Sequence, residues 1–140
     1  MYHATEVIAK TFQEKGLKFR TRETDKYSIL EAGFDGKVIQ NVVIRFISSD
    51  NDNDVSVRST DIARYPEGKL DLGYKRCNTI NEKYRFLKFV MDDEGNVNVQ
   101  FDFPQEISDD SLGMAAREIF IRCMKIIDEC YRDIMMDILL

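Results

Sequence analysis

Hydrophobic positions near both ends of the chain repeat with the 3.6-residue period of helices. At the N-terminus, apolar residues recur at this spacing over 3–15, and Gly16 follows as a helix stop. At the C-terminus, Ser108 is a good N-cap, and two aspartates follow it in the first turn. The pattern predicts a helix over 3–15, a second over 67–83, and a long last helix from Ser108 to the end of the chain.

Between these helices the pattern changes to the two-residue alternation that is typical of β-strands. The first predicted strand begins as an extended lead-in over 17–23 and continues, after a polar break, over 27–34. An Asp-Gly pair at 35–36 and the acidic turn that ends in Gly95 each indicate a hairpin. The remaining predicted strands cover 38–47, 55–63, 86–91 and 97–103. The resulting order is α-β-β-β-α-β-β-α, which predicts an α+β fold with a five-stranded antiparallel sheet.

Length and composition predict one folded domain over residues 1–140. Hydrophobic residues make up 44% of the chain and charged residues 32%, a balance typical of folded proteins. The formal net charge of −5 argues against non-specific binding to nucleic acid or to an anionic membrane. No run approaches the roughly 18 apolar residues of a membrane span, and the N-terminus does not resemble a signal peptide. We therefore expect a cytoplasmic protein.

Histidine and cysteine, which often act as catalytic bases and nucleophiles, are scarce. His3, the only histidine, lies at a terminus, and the three cysteines are widely spaced, which predicts reduced and mostly buried thiols. No glycine pattern indicates a phosphate-binding loop. We expect no catalytic residues, no cofactor and no metal site.

The segment DNDND at 50–54 resembles the start of an EF-hand loop. The sixth position of such a loop requires glycine and the twelfth a glutamate, but this chain has Val55 and Asp61 there. We interpret the segment as a solvated loop, with weak adventitious Ca²⁺ binding as the alternative.

Several local sequences occur in a fixed order: CNTIN at 77–81, YRFLKF at 84–89, the acidic turn DDEG at 92–95, the strand at 97–103 with its following proline, and a long helix with an acidic cap. This ordered set resembles the YbjN-like family of bacterial sensory transduction regulators. The resemblance implies a bacterial, non-enzymatic, regulatory or protein-binding role and a fold like that of type III secretion chaperones. It carries no catalytic residues. We interpret Asn78 and Asn81 as side chains that satisfy the backbone where a helix meets a strand.

The last helix has more apolar residues than one buried face requires. Three interpretations of its C-terminal end remain open: burial between the first helix and the sheet, a homodimer contact, or a groove for a client segment. The apolar residues that carry the surplus are Met114, Ile121, Met135, Met136 and Leu139.

The strand over 38–47 is apolar on both sides, so its second face is another candidate interface. Ile39, Val43 and Ile47 lie on that face, which could receive an added strand or be covered by a helix. In the preceding strand, Lys18, Arg20 and Arg22 form a basic stripe that indicates a solvated edge strand or, alternatively, a contact for an acidic partner.

These observations favour a non-enzymatic module that binds another protein as a chaperone-like or regulatory adaptor, and that forms a homodimer. The alternative is a sensor of a small ligand, with a pocket between the last helix and the sheet.

Overall fold

The computed structural model describes residues 1–49 and 53–140, and the predicted helices and hairpins are present in it. The helices of the described part are α1 (His3–Glu14), α2 (Leu70–Lys83, preceded by a 3₁₀ turn over Glu67–Lys69) and α3 (Asp109–Leu139). The strands are β1 (Arg20–Glu23), β2 (Ser28–Phe34), β3 (Val42–Ser48), β4 (Asp54–Arg64), β5 (Lys88–Met91) and β6 (Asn96–Pro104).

The described strands form a single antiparallel sheet in the order β1-β2-β3-β4-β6-β5. The first four strands follow one another as a meander. The chain then crosses over through α2, adds β5 at the far edge, and returns as β6 beside β4. The short strands β1 and β5 are therefore the two edges of the sheet.

The prediction of five strands is wrong, because the first predicted strand is a hairpin of two. The polar break between its halves forms the turn: the Thr24 N–H donates to the Tyr27 carbonyl over 2.9 Å, and the Tyr27 N–H donates to the Thr24 hydroxyl over 3.0 Å. A side chain that bonds the backbone two or three residues ahead stabilises a turn rather than a continuous strand. The sheet consequently has six strands within the described residues.

The core lies between one face of the sheet and the helices. Phe12 of α1 contacts Phe46 of β3 and Phe120 of α3, with ring centroids 5.6 and 5.7 Å apart. Farther along α3, Ile127 and Ile134 are almost completely buried. Each helix thus buries one apolar stripe against the sheet, as the 3.6-residue pattern predicted.

The third strand begins at Val42, four residues later than predicted. The preceding residues form a loop whose backbone is bound by Asp128 of α3. Its carboxylate accepts hydrogen bonds from the N–H groups of Lys37, Val38 and Ile39 over 2.8–3.1 Å. These three bonds hold the pKa of Asp128 below its usual range, and they attach the loop to α3 instead of leaving it to pair in the sheet.

Two predicted local features are confirmed. Ser108 caps α3, because its hydroxyl accepts the Ser111 N–H over 3.2 Å. In the β5–β6 turn, Gly95 has φ +94°, and a Cβ there would lie 2.2 Å from the Tyr65 carbonyl oxygen. The turn therefore requires glycine both for its backbone conformation and for this close approach.

Candidate functional site

One face of the sheet, here called the outer face, points away from all three helices. Within residues 1–49 and 53–140, no helix packs on it. The outer-face positions alternate with the buried ones along β3, where Val43, Arg45 and Ile47 are half-buried while their neighbours are buried. Such a one-sided antiparallel sheet leaves a broad surface available for contacts.

A row of side chains that lie opposite one another crosses the whole outer face, one from each strand. From the β1 edge to the β5 edge, this basic row consists of Arg20, Glu31, Arg45, Arg58, Gln100 and Lys88. Neighbouring strands are about 4.8 Å apart, so the row is about 24 Å long. Arg22 and Asp102 flank it one step farther along the strands. Together these side chains comprise five cations and two anions, a net charge of +3 on a protein with a net charge of −5.

Glu31 is the buried anion at the centre of this charge. Its side chain is 4% exposed, and its carboxylate oxygens lie 2.7 Å from Arg22 Nε, 3.3 Å from Arg45 Nε and 3.7 Å from an Arg20 guanidinium nitrogen. Burial alone would raise the pKa of Glu31, but the hydrogen bond from Arg22 and the three positive charges outweigh it and lower the pKa. Glu31 is therefore ionised at neutral pH and holds the three arginines together.

Arg58 has partners that offset an unfavourable pairing. It lies directly opposite Arg45, and two cations in such a cross-strand pair repel each other. The Arg58 guanidinium donates to Asp102 Oδ1 over 2.7 Å and to the Val57 carbonyl over 2.8 Å. Glu31 and Asp102 thus neutralise the two sides of the basic row separately, and the arginines remain partly accessible to a partner.

Surface hollows adjoin both ends of the basic row. Near β1, a hollow of about 290 Å³ lies over Gly33 and is lined by Lys18, Arg20 and Val43. Near β5, a hollow of about 510 Å³ includes Lys88, Gln100 and the stacked rings of Phe86 and Phe101, whose centroids are 4.5 Å apart. Both hollows combine apolar walls with a positive charge.

The β5 edge of the sheet is closed at one position by a side chain. The Asn81 amide of α2 donates to the Phe89 carbonyl over 2.9 Å, and its oxygen accepts the Phe89 N–H over 2.8 Å. Asn81 thus occupies the outward backbone groups of Phe89 as a neighbouring strand would. The predicted backbone role of Asn81 is confirmed, whereas Asn78 contacts the Glu82 side chain on the same helix.

The β1 edge, by contrast, has no such closure within the described residues. The Thr24–Tyr27 hydrogen bond fixes the alternation of the hairpin, so Arg20 and Arg22 direct their backbone groups toward β2. Thr21 and Glu23 consequently direct theirs away from the sheet, and all four β1 residues are exposed. The predicted edge position of this basic strand is confirmed.

The three residues predicted on the second face of the central strand do not all lie on that face. Val43 and Ile47 lie on the outer face and are half-buried. Ile39 precedes β3, is only 4% exposed and contributes to the core, so its assignment to an accessible strand face is wrong. The physical reason is the binding of its backbone by Asp128, which turns the segment into the core.

The apolar residues predicted on the last helix do not form one continuous surface. Met114, Met136 and Leu139 are 46%, 51% and 74% exposed. Ile121 and Met135 are half-buried, and Ile121 lines a surface hollow of about 430 Å³ between α3 and the β2–β3 loop. The exposed charged residues Glu118, Lys125 and Arg132 lie on the same side of the helix and interrupt the stripe.

The C-terminal end of α3 is anchored by Asp137. Its carboxylate accepts two hydrogen bonds from Arg76 over 2.8 and 2.9 Å and one from the buried Tyr65 hydroxyl over 2.8 Å. The bonds from Arg76 lower the pKa of Asp137. The Lys69 ammonium donates to the carbonyls of residues 137 and 138. The tail therefore packs against α2 and the end of β4. Of the three interpretations of this tail, burial between the first helix and the sheet is wrong, and the homodimer contact and the client groove stay predictions.

The cysteines offer no nucleophile. All three are reduced and buried, as predicted, and burial raises the pKa to about 11 for Cys77 and Cys130 and to about 12 for Cys123. Each is therefore a neutral thiol at physiological pH. Of the predicted Ca²⁺-like segment, residues 50–52 lie outside the described residues.

Sequence reasoning missed Glu31, Arg45 and Arg58 as members of one cluster. Each interrupts an otherwise apolar or β-branched strand, which was the available signal. Their proximity depends on the register of two strand pairs, which the alternation of one strand at a time does not reveal.

No helix among residues 1–49 and 53–140 is long and apolar enough to cross a membrane.

A family model described as "YbjN: Putative bacterial sensory transduction regulator" matches residues 4–132. The fold is similar to a crystal structure of YbjN from E. coli, described as "a putative transcription regulator", with a TM-score of 0.60 and 13% sequence identity over 92% of each chain. The search of curated proteins found no match.

Proposed function

The chain belongs to the YbjN family, and from that premise we propose that it is a regulatory adaptor of the bacterial cytoplasm that binds another protein and catalyses no reaction. The observation that carries this proposal is the outer face. It combines a cationic row about 24 Å long with half-buried apolar side chains, on a protein that is acidic as a whole.

Such a surface suits a protein partner because charge and apolar area lie side by side. Rim charges steer association and select partners, while apolar groups contribute when water is excluded. The net charge of −5 keeps the adaptor and its complex dissolved and repels most acidic macromolecules elsewhere on the surface.

The test is capture of a partner from the native host, followed by binding of the purified partner to outer-face variants. In the test variant, Arg45→Gln and Lys88→Gln remove two cations from the basic row. In the matched control, Lys10→Gln and Lys75→Gln remove two exposed cations from α1 and α2. We expect the test variant to bind at least tenfold more weakly, and the control within twofold of the wild type.

Equal weakening by both variants would indicate a general charge effect and would contradict a role for the outer face. A wild-type protein that captures no specific partner would contradict the adaptor function itself.

We also propose that the protein forms a homodimer, and that the dimer uses the outward side of α3. Met114 and Ile121 are two turns apart on that side, and Ile121 lines the hollow of about 430 Å³ together with Phe34 and Met124. Light scattering after size exclusion should give twice the chain mass, and Ile121→Glu should give the mass of one chain. A wild type that elutes as a monomer at about 100 µM would contradict the dimer, because a dimer whose dissociation constant is well below about 100 µM stays associated at that concentration.

The likeness to type III secretion chaperones stays a prediction.

A further inference from the structure

We propose that the β1 edge binds an extended segment of another protein in which acidic and apolar residues alternate, by adding that segment to the sheet as a seventh strand. This inference rests on the proposed function and names the chemistry of the partner. Three features of β1 favour this occupant: its outward backbone groups, the charge on one side of the strand, and the apolar contacts on the other.

The backbone of β1 presents a ready set of hydrogen-bonding groups. Thr21 and Glu23 direct their N–H and C=O groups away from β2, and their side chains are exposed. An added strand that pairs with both residues would form up to four backbone hydrogen bonds. This mode of recognition supplies affinity from the main chain, and the flanking side chains select the sequence.

The two sides of β1 demand different side chains from the added strand. On the outer face, Arg20 and Arg22 are exposed, and Lys18 lies beside them next to the 290 Å³ hollow. On the helix side, Phe19 packs edge-on against Phe12 with a centroid distance of 6.2 Å and remains partly exposed. Thr21 lies on this side too, as does the Glu23 carboxylate, which pairs with the N-terminal ammonium of Met1. A strand whose residues alternate acidic and apolar places carboxylates beside the cations and apolar groups beside Phe19 and Thr21.

A second copy of this chain is disfavoured at the same edge. In an antiparallel pair of two β1 strands, only residues with outward backbone groups can face each other as hydrogen-bonded pairs. Opposing Thr21 to Glu23 places Arg22 opposite Arg22, and opposing Thr21 to Thr21 places Arg20 opposite Arg22. Opposing Glu23 to Glu23 juxtaposes two carboxylates. Each register sets like charges directly opposite, which is destabilising.

The test measures the binding of labelled octapeptides to the full chain by fluorescence anisotropy. One peptide alternates Glu and Val, and the comparison peptide alternates Lys and Val. We expect the Glu/Val peptide to bind at least tenfold more tightly, with an affinity that falls as salt rises, because the contacts beside Arg20 and Arg22 are exposed. Equal affinity of the two peptides would overturn the charge argument.

The variant pair Thr21→Pro and Thr21→Val separates strand addition from a general attraction of charge. Proline removes the outward N–H, whereas valine retains it and favours strands. We expect Thr21→Pro to weaken binding of the Glu/Val peptide about tenfold, because one donor is lost and the proline ring crowds the added strand. Thr21→Val should bind within twofold of the wild type.

A peptide with alternate backbone nitrogens methylated provides the same test without any change in the protein. Methylation of the nitrogens that face β1 should abolish binding, and methylation of the other set should not. Binding that is indifferent to both the methylation and Thr21→Pro would overturn strand addition.

Two further outcomes are informative. Loss of self-association in Thr21→Pro would identify a second copy as the occupant and overturn the proposal. If the peptides do not bind while capture of the native partner still depends on Arg45 and Lys88, this inference fails and the proposed function stands.

Discussion

The two edges of the sheet differ in whether their outward backbone groups have hydrogen-bond partners. At the β5 edge, one asparagine from α2 bonds both the N–H and the C=O of Phe89. At the β1 edge, all residues are exposed, and within the described residues no side chain bonds the outward groups of Thr21 and Glu23. An edge strand is a liability for aggregation, and proteins close or charge it. Asn81 satisfies one of the two outward positions of β5, whereas neither outward position of β1 is bonded within the described residues, so the charged edge is the more open to a selected partner.

The largest expected effect concerns the closed edge. Asn81→Ala removes both hydrogen bonds to the buried Phe89 and leaves two backbone groups without their partner. We expect the free energy of unfolding to fall by about 2–3 kcal/mol, and the variant to aggregate faster because its β5 edge becomes available. Urea unfolding monitored by circular dichroism measures the first effect and light scattering the second.

The matched control for this prediction is Asn78→Ala, three residues earlier on the same helix. Asn78 is exposed and hydrogen-bonds the Glu82 side chain on the same helix, so the free energy of unfolding of the variant should stay within about 0.5 kcal/mol of the wild type. Equal destabilisation by both variants would show that helix propensity, not edge closure, is responsible.

The next effect concerns the charge behind the β1 edge. Glu31→Gln removes the anion that binds Arg20, Arg22 and Arg45. We expect a loss of about 1–2 kcal/mol at pH 7, less than for a fully buried pair because Arg20 and Arg22 remain hydrated. The stability difference between wild type and variant, measured by urea unfolding, is the test.

The stability difference between the wild type and Glu31→Gln should also depend on pH. The pKa of Glu31 is lowered in the folded state, so the stability that it contributes is present above its unfolded pKa of about 4.3. It is lost as the pH falls through the lower folded value. The difference between wild type and Glu31→Gln should therefore be larger at pH 7 than at pH 3. A difference that is constant with pH would contradict an ionised Glu31 in the cluster.

A smaller effect tests the orientation of the β1 backbone. Thr21→Pro should change the free energy of unfolding by no more than about 0.5 kcal/mol, since the lost N–H points away from β2. A loss of 2 kcal/mol or more, well above that ceiling for surface substitutions, would mean that this N–H is part of the β1–β2 ladder and would invalidate the proposed edge.

The last test compares the two edges in the wild-type protein, without any substitution. Hydrogen exchange of the native protein, followed by NMR, should show rapid exchange of the Thr21 and Glu23 amides and slow exchange of the Phe89 amide. The reason is that Asn81 bonds the buried Phe89 N–H, while the β1 groups face water. Comparable protection at the two edges would remove the contrast on which the strand-addition proposal depends.

Local pattern was sufficient where a single element decides the outcome. The helices over 3–15 and 67–83 and the capped helix after Ser108 were predictable from the spacing of apolar residues and from one hydroxyl. The glycine turn at Gly95 and the basic edge strand were also predictable, because turn chemistry and alternation act over a few residues.

The candidate site was predictable only in part. The stripe of Lys18, Arg20 and Arg22 was visible as alternation, and Val43 and Ile47 were assigned to the correct face. The union of that stripe with Glu31, Arg45 and Arg58 was not visible, because their positions in the sequence span more than 35 residues. Strand order and register bring them together, and both depend on how the whole sheet packs on its helices.

The amino-acid sequence by itself determined the element types, the α+β class, the buried thiols and the charged character of one edge strand. These follow from periodicity, capping and composition, which are local properties. Tertiary structure alone decided that Ile39 turns into the core, and that Glu31, Arg45 and Arg58 meet on one face of the sheet. Both depend on partners from other segments, Asp128 of α3 for the loop before β3 and the neighbouring strands for the charges, and the energy of such contacts appears only when the segments meet. The β1–β2 turn and the Asn81–Phe89 contact join residues that are close in sequence, but alternation alone did not show that the first strand divides in two.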